Sequence, residues 1–129
     1  MKRILFALLF TSVFCFAQEE EKLNGLVKHT YADDSPYCET TYVDGVMHGP
    51  YIAYYSNGQV DWEGAIVNGV KEGVWKNFRE DGTQRFEGPY ENDEQVGTWK
   101  HFDENGKQIP PEEIPKSPEF LWYSCDKAY

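Results

Sequence analysis

Histidine and cysteine are the residues of this chain best suited to chemistry, and their spacing gives little support for a reactive site. His29, His48 and His101 lack the His-x-x-x-His or Cys-x-x-Cys spacing of zinc sites. A cysteine nucleophile needs a base within hydrogen-bond reach, which His29 or His48 could offer to Cys38. We expect Cys38 instead to be a small buried residue or half of a disulfide, because equivalent positions elsewhere in the chain are aromatic.

Acidic and glycine residues likewise point away from catalysis. The chain has 22 acidic residues among 129, so pairs of carboxylates arise by chance. The segment 103–106 resembles part of a calcium loop but lacks the spacing of the first Asp and the terminal Glu. Ser56 has no Gly-x-Ser-x-Gly context, and the chain has no glycine-rich phosphate loop. The sequence therefore predicts a protein that is not an enzyme and uses no metal or cofactor.

The elements that position these residues belong to a 24-residue repeat that occurs three times. Each copy opens with Gly-x-Tyr or Gly-x-Trp, places an aromatic residue three positions later, and closes a turn with Asn-Gly or Asp-Gly. The copies begin at Gly49, Gly73 and Gly97. A fixed period of this size is typical of a stacked array and not of an enzyme pocket.

Each copy is predicted to form a β-hairpin. Asp81-Gly82 is favoured for a two-residue type I′ turn. Pairing the strands about this turn places Trp75 opposite Gly88, and the same construction places Tyr51 opposite Gly64. A large ring across from a strand glycine is a stabilising arrangement known as aromatic rescue, which supports this register.

Alternation of side chains along the strands separates a core face from a polar face. The residues expected to hold the structure together on the core face are Tyr51, Trp62, Trp75, Phe86 and Trp99. The other face is mostly polar and includes Asp61, Glu63, Lys76, Arg85 and Glu87, with Lys76 directly across from Glu87.

Three rings interrupt the polar face at equivalent positions, namely Tyr54, Phe78 and Phe102. With two strands per copy, they repeat about every 10 Å. One interpretation is an aromatic stripe on a charged sheet, which would be a surface for binding another protein. The other is a β-bulge near position 77 that rotates the rings into the core.

The array extends beyond the three clear copies. Gly25 lies 24 residues before Gly49 and begins a degenerate copy, so the array covers residues 25–107, after a linker at 18–24. We predict an all-β fold of stacked antiparallel β-hairpins that form an elongated, twisted sheet. A proline-rich tail at 108–129 contains the apolar run 120–123, which either closes the last repeat or binds a partner.

The first 17 residues have the layout of a secretory signal peptide. Lys2-Arg3 precedes an apolar run and a small residue, Ala17. An uncleaved membrane anchor and a lipoprotein cut before Cys15 are the alternatives, but the apolar run is short for a span of about 20 residues. We therefore expect a secreted or periplasmic protein.

The two cysteines beyond this segment, Cys38 and Cys125, could form a disulfide in an oxidising compartment. The repeat register places Cys38 equivalent to position 110, about 29 Å away across the sheet. Fifteen residues of extended chain span roughly 50 Å. The bond can form only if the tail folds back along the array, and both outcomes stay open.

Net charge narrows the class of partner. The full chain carries a charge of −10, and removal of Lys2 and Arg3 with the signal peptide makes it −12. Such a surface repels nucleic acid and anionic lipid, so basic or neutral partners are favoured. The acidity also serves solubility, with or without a partner.

The repeat residues resemble the bacterial variant of the MORN repeat. The shared pattern is Gly-x-Trp-x-x-Phe-x-x-Asp/Asn-Gly followed by Phe/Trp-Glu-Gly and Asn-Gly, best seen at 73–82 and 97–106. The resemblance implies an elongated sheet of hairpins and a module for binding another, unidentified protein. Some members are antitoxins, so neutralisation of a toxin is the alternative function, although a signal peptide is unlike cytoplasmic antitoxins.

Overall fold

The computed structural model describes residues 21–113, which form one antiparallel sheet. Its strands are β1 (Gly25–Thr30), β2 (Pro36–Val43), β3 (Val46–Tyr54), β4 (Val60–Val67), β5 (Val70–Phe78), β6 (Gln84–Glu91), β7 (Glu94–Gln95), β8 (Lys100–Phe102) and β9 (Gln108–Ile109). A single 3-10 turn, Pro111–Glu113, follows the last strand. The predicted signal peptide at 1–17 and most of the predicted tail lie outside the described residues.

Strands that are consecutive in sequence are neighbours in the sheet. The order is β1-β2-β3-β4-β5-β6-β8-β9, and the two-residue β7 pairs with β6. Every pairing is antiparallel. The predicted all-β fold of stacked hairpins is therefore confirmed. Within residues 21–113, no helix is long and apolar enough to cross a membrane.

Two kinds of turn alternate along the chain, one at each end of the strands. The turns that join one copy to the next are type I′, with positive φ at both central residues. These pairs are Asp44-Gly45 (51° and 81°), Asn68-Gly69 (52° and 85°) and Asn92-Asp93 (50° and 68°). Asn, Asp and Gly are the residues that tolerate this backbone, so the sequence specifies these turns.

The turn within each copy differs from the predicted type I′ turn. In the Gly73 copy, the amide of Gly82 donates to the Arg79 carbonyl (2.8 Å), and the Arg79 amide donates to the Thr83 carbonyl (2.8 Å). Positive φ occurs at Gly82 (85°) and not at Asp81. This is a three-residue loop, a type I turn followed by a bulge. The Asp81 carboxylate stabilises it by accepting bonds from the amide (2.8 Å) and hydroxyl (2.6 Å) of Thr83.

The longer loop and a β-bulge compensate each other. The loop shifts the pairing by one residue, so Phe78 pairs with Gln84 and not with Arg85. A register shift between Asn77 and Phe78 then restores the predicted pairing, and Trp75 lies opposite Gly88. The strand register was therefore right, although the turn that was used to derive it was wrong.

The rings predicted to form the core lie together on one face of the sheet. Trp75 is 0% exposed, Tyr51 1%, Phe86 2% and Trp62 8%, and the half-buried Trp99 packs against them. Their ring centroids lie 5.3–6.5 Å apart, mostly tilted or edge-to-face, which is the favourable arrangement for aromatic pairs.

The tryptophan rings cover a different glycine from the one predicted. The ring of Trp75 lies on Gly64 of the preceding copy, where an added Cβ would be 2.2 Å from Cδ2 of the indole. Trp99 covers Gly88 in the same way, at 2.3 Å. The indole of Trp75 also donates to the Ala65 carbonyl (3.2 Å). Aromatic rescue therefore holds successive copies together, and does not act within one hairpin as predicted.

Candidate protein-binding face

Tyr54, Phe78 and Phe102, here called the aromatic stripe, are half-buried. Each follows a residue on the core face, namely Ala53, Asn77 and His101, so alternation places the three rings on the opposite face. Phe78 pairs with Gln84, and the Gln84 side chain donates to Glu87 (2.9 Å) on the polar face. Tyr54 lies near Glu39 on the same face. Burial first, and then the charge of Glu39, raises the pKa of the Tyr54 hydroxyl.

The predicted bulge exists, but it turns other residues toward the core. Register shifts occur at Ala53/Tyr54 and Asn77/Phe78. Asp61, placed on the polar face by strict alternation, accepts a 2.8 Å bond from the buried amide of Asn77. That placement was wrong, because the extra residue of a bulge shares a face with its neighbour. Burial raises the pKa of Asp61, and the polar contacts of its carboxylate with Tyr55 and Asn77 oppose the shift.

Two side chains hold the backbone of the stripe in place. The Tyr55 hydroxyl donates to the carbonyl of Phe78 (2.8 Å), and Nη2 of Arg79 donates to the carbonyl of Phe102 (2.7 Å). Each bond joins the residue after one ring to the ring residue of the next copy. Burial, reinforced by the Asp61 charge, raises the pKa of Tyr55 to about 12, so this donor stays protonated at neutral pH.

Three ion pairs lie on the same face as the stripe, and two of them occupy equivalent positions in the repeat. They are Lys28–Glu39 (2.9 Å), Lys76–Glu63 (3.1 Å) and Lys100–Glu87 (3.0 Å). Lys76 lies directly across from Glu87, as predicted, but it forms its ion pair with Glu63. Lys76 and Lys100 both bond to a glutamate of the preceding copy, whereas Lys28 bonds to Glu39 of its own copy. Bonds from Gln84 and Lys100 lower the pKa of Glu87. Exposed pairs contribute little stability, but they neutralise charge next to the rings.

Tyr55 and Arg79, here called the clamp residues, were not identified as part of the site from the sequence. They occupy equivalent repeat positions, but one is a phenol and the other a guanidinium, so the repeat does not show a common type. What they share is a long side chain with a terminal donor. A search for shared hydrogen-bonding capacity at equivalent positions could have found them.

Of the residues first considered for chemistry, His29 lies directly opposite Cys38 in the pairing of β1 with β2. Cys38 is disulfide-bonded, so it offers no thiol for this histidine to activate. His29 lies 3.5 Å from the Tyr42 hydroxyl, His48 contacts Asn68, and His101 packs against Phe86. Burial lowers the pKa of His101. Within residues 21–113, no three His, Cys, Asp or Glu side chains are grouped as metal ligands.

Cys38 is buried, at 1% exposure, and it is disulfide-bonded. The predicted partner, Cys125, lies outside the described residues, so the pairing of Cys38 with Cys125 stays a prediction.

Fold and surface together define a class of protein: an all-β array of stacked hairpins with an aromatic stripe on its polar face. Residues 47–61 and 95–107 match the family model described as MORN repeat variant. These matches support a MORN-repeat protein, in agreement with the resemblance of the sequence. The Gly73 copy lies between the two matched segments. No curated protein matches the chain.

Proposed function

We propose that this chain is a non-enzymatic module that binds another protein through the aromatic stripe. MORN repeats are in general modules for interaction with proteins or membranes, which supports a binding role. The observation that carries the proposal is that Tyr54, Phe78 and Phe102 lie on the polar face, outside the buried ring cluster. Rings that do not build the core are available as anchors for a partner.

The stripe favours a partner with regularly spaced apolar side chains. Its rings repeat at about 10 Å, which is close to the distance between residues i and i+7 of an α-helix. The clamps from Tyr55 and Arg79 fix this spacing before binding, so little ordering is needed. An amphipathic helix laid across the strands therefore fits the stripe.

Charge and the amino terminus add two further elements to the proposal. A net charge of −10 favours basic or neutral partners over nucleic acid and anionic membranes. The signal-like segment at 1–17 supports a secreted or periplasmic location. Neutralisation of a toxin is one form that such binding can take.

The test is a pair of substitutions on the stripe, Phe78→Ser with Phe102→Ser. The mature chain serves as bait in a periplasmic extract, and captured proteins are identified by mass spectrometry and then purified for titration. We expect at least tenfold weaker binding of the captured protein, with Tm within a few degrees of the unsubstituted chain. A toxic activity of that protein, measured with and without the chain, tests the neutralising role.

Phe86→Ser is the matched control, because it removes the same side chain from the opposite face. Phe86 is 2% exposed, so its loss should cost about 3–5 kcal/mol and lower Tm strongly. Unfolding of the stripe variant to a similar extent would show that its rings are part of the core. Unchanged affinity of a folded stripe variant would show that the contact lies elsewhere.

A further inference from the structure

Four asparagine–glycine pairs lie within residues 21–113, and this pair of residues is chemically labile. The pairs begin at Asn24, Asn57, Asn68 and Asn105, and all four asparagines are exposed. The backbone nitrogen that follows an asparagine can attack the carbon of the side-chain amide. Glycine favours this attack because it has no side chain to obstruct the approach. The fate of each pair then depends on how firmly the asparagine side chain is held.

Asn57 and Asn24 are each held by two hydrogen bonds. Nδ2 of Asn57 donates to the Glu80 carbonyl (2.8 Å), and its Oδ1 accepts from the Gln59 amide (2.9 Å). The side chain of Asn24 likewise donates one bond and accepts another (3.0 and 2.9 Å). Both bonds must break before the side chain can turn toward the following nitrogen.

Asn68 has one such contact and Asn105 has none. Nδ1 of His48 lies 3.3 Å from Oδ1 of Asn68 and 3.3 Å from its backbone nitrogen, so it bonds to one of them at a time. Within residues 21–113, the side chain of Asn105 forms no hydrogen bond, while its backbone amide donates to the Asp103 carboxylate (2.9 Å). The Asn105 side chain is therefore the one that is free to reorient.

The attacking nitrogen does not distinguish the turns. The amides of Gly58, Gly69 and Gly106 each donate to a backbone carbonyl (2.9, 2.9 and 3.0 Å). The cost of freeing the nitrogen is therefore similar in the three turns, and release of the side chain sets their order of reactivity.

We propose that Asn105 is a site of spontaneous modification to aspartate and isoaspartate. The nitrogen of Gly106 loses its proton to base in the solvent and attacks Cγ of Asn105. The bond from Cγ to the side-chain nitrogen breaks, that nitrogen leaves with a proton as ammonia, and a succinimide ring closes. Water then opens the ring at either carbonyl, which leaves an aspartate or an isoaspartate. Water is the co-reactant, and the chain gains a negative charge.

The isoaspartate product changes the loop that follows Phe102. Its main chain is longer by a carbon atom between residues 105 and 106. The Asp103 carboxylate bonds to the amides on both sides of that point, those of Asn105 and Lys107 (2.9 Å each). The modification is independent of the proposed function, because it needs no partner.

Peptide mapping tests the site. The purified full chain is kept in alkaline buffer, with and without urea, and samples are digested at intervals and analysed by mass spectrometry. A side-chain hydrogen bond of about 1 kcal/mol corresponds to about fivefold in rate. We therefore expect Asn105 to convert about fivefold faster than Asn68 and roughly 30-fold faster than Asn57 or Asn24 in the folded protein. The four rates should converge in urea. Equal rates in the folded protein, or an order that persists in urea, would overturn the proposal.

Two variants separate the site from general degradation. Asn105→Gln keeps the amide but would have to close a larger ring, so conversion at this position should be lost while the other three rates stay the same. His48→Ala removes the contact to Asn68 and should raise its rate about fivefold, toward that of Asn105, without lowering Tm. An unchanged Asn68 rate in the folded variant would overturn the inference that an unheld side chain marks the site.

Discussion

Gly64→Ala should destabilise the protein far more than an added methyl group normally does. The new Cβ would lie 2.2, 2.4 and 2.6 Å from three atoms of the Trp75 indole. Real Cβ atoms do not approach other atoms so closely, so the ring must move. Trp75 is 0% exposed and surrounded by other rings, which leaves it no free space.

The cost follows from two contributions. Forcing extra volume into a packed core costs about 1–3 kcal/mol. Displacing the indole also breaks its bond to the Ala65 carbonyl, which adds about 1 kcal/mol. Together we expect about 3 kcal/mol, or a Tm lower by about 12 °C for a domain of this size. Gly64 does not have positive φ, so backbone strain adds nothing.

The first copy of the repeat suggests the compensating change. There the equivalent pair is Thr40 with Tyr51, which is a residue with a Cβ facing a smaller ring. Gly64→Ala combined with Trp75→Tyr should therefore cost at least about 1 kcal/mol less than the sum of the two single changes. Urea denaturation of all four proteins measures this coupling free energy.

Gly58→Ala is the matched control for this cycle. Nothing lies within 4 Å of its Cβ position, but its φ is 85°, so its cost of about 1 kcal/mol comes from backbone strain alone. It should combine additively with Trp75→Tyr. Additivity in the Gly64 cycle, or a Gly64→Ala protein as stable as the parent, would refute the proposed contact between glycine and ring.

Two further substitutions take their replacement from another copy of the repeat. Lys71→Met introduces the residue of the preceding copy, Met47. Burial lowers the pKa of Lys71 from its usual 10.5, so its charge costs stability at pH 7 and the cost disappears as pH rises toward 10.5. The variant should gain a few degrees in Tm at pH 7 and less at pH 10, while a gain that is the same at both pH values would contradict this reasoning. Asp34→Gly relieves a φ of 65° at a position that is glycine in the later copies, and should raise Tm by about 3 °C in a thermal melt. A lower Tm would mean that the Asp34 side chain stabilises the turn.

The sheet, its strand order and most of its register were predictable because they depend on short-range patterns. Gly and Asn at the turns and alternating rings on the strands are visible in one copy and reinforced by the period. The prediction succeeded at Trp75 opposite Gly88 because the loop and the bulge shift the register by one residue in opposite directions. Neither shift alone has a clear signal in the sequence.

Contacts between copies were less predictable, because two neighbouring strands compete for each side chain. Lys76 lies between Glu63 and Glu87, and its choice of Glu63 depends on the twist of the sheet. The same holds for Trp75, which has a glycine on both sides and leans toward Gly64. Alternation gives the face of a side chain but not the direction in which it leans.

These contacts join successive copies on both faces of the sheet, and this bears on the aromatic stripe. Trp75 and Lys76 both reach back to the preceding copy, while Tyr55 reaches forward to the Phe78 backbone. The distance between copies is therefore set on both faces of the sheet at once. A partner that requires rings about 10 Å apart meets a surface whose spacing is already fixed by the core. Arg79→Ala, which removes the clamp on Phe102 without touching a ring, should weaken binding less than loss of the ring itself, and mainly by slowing association.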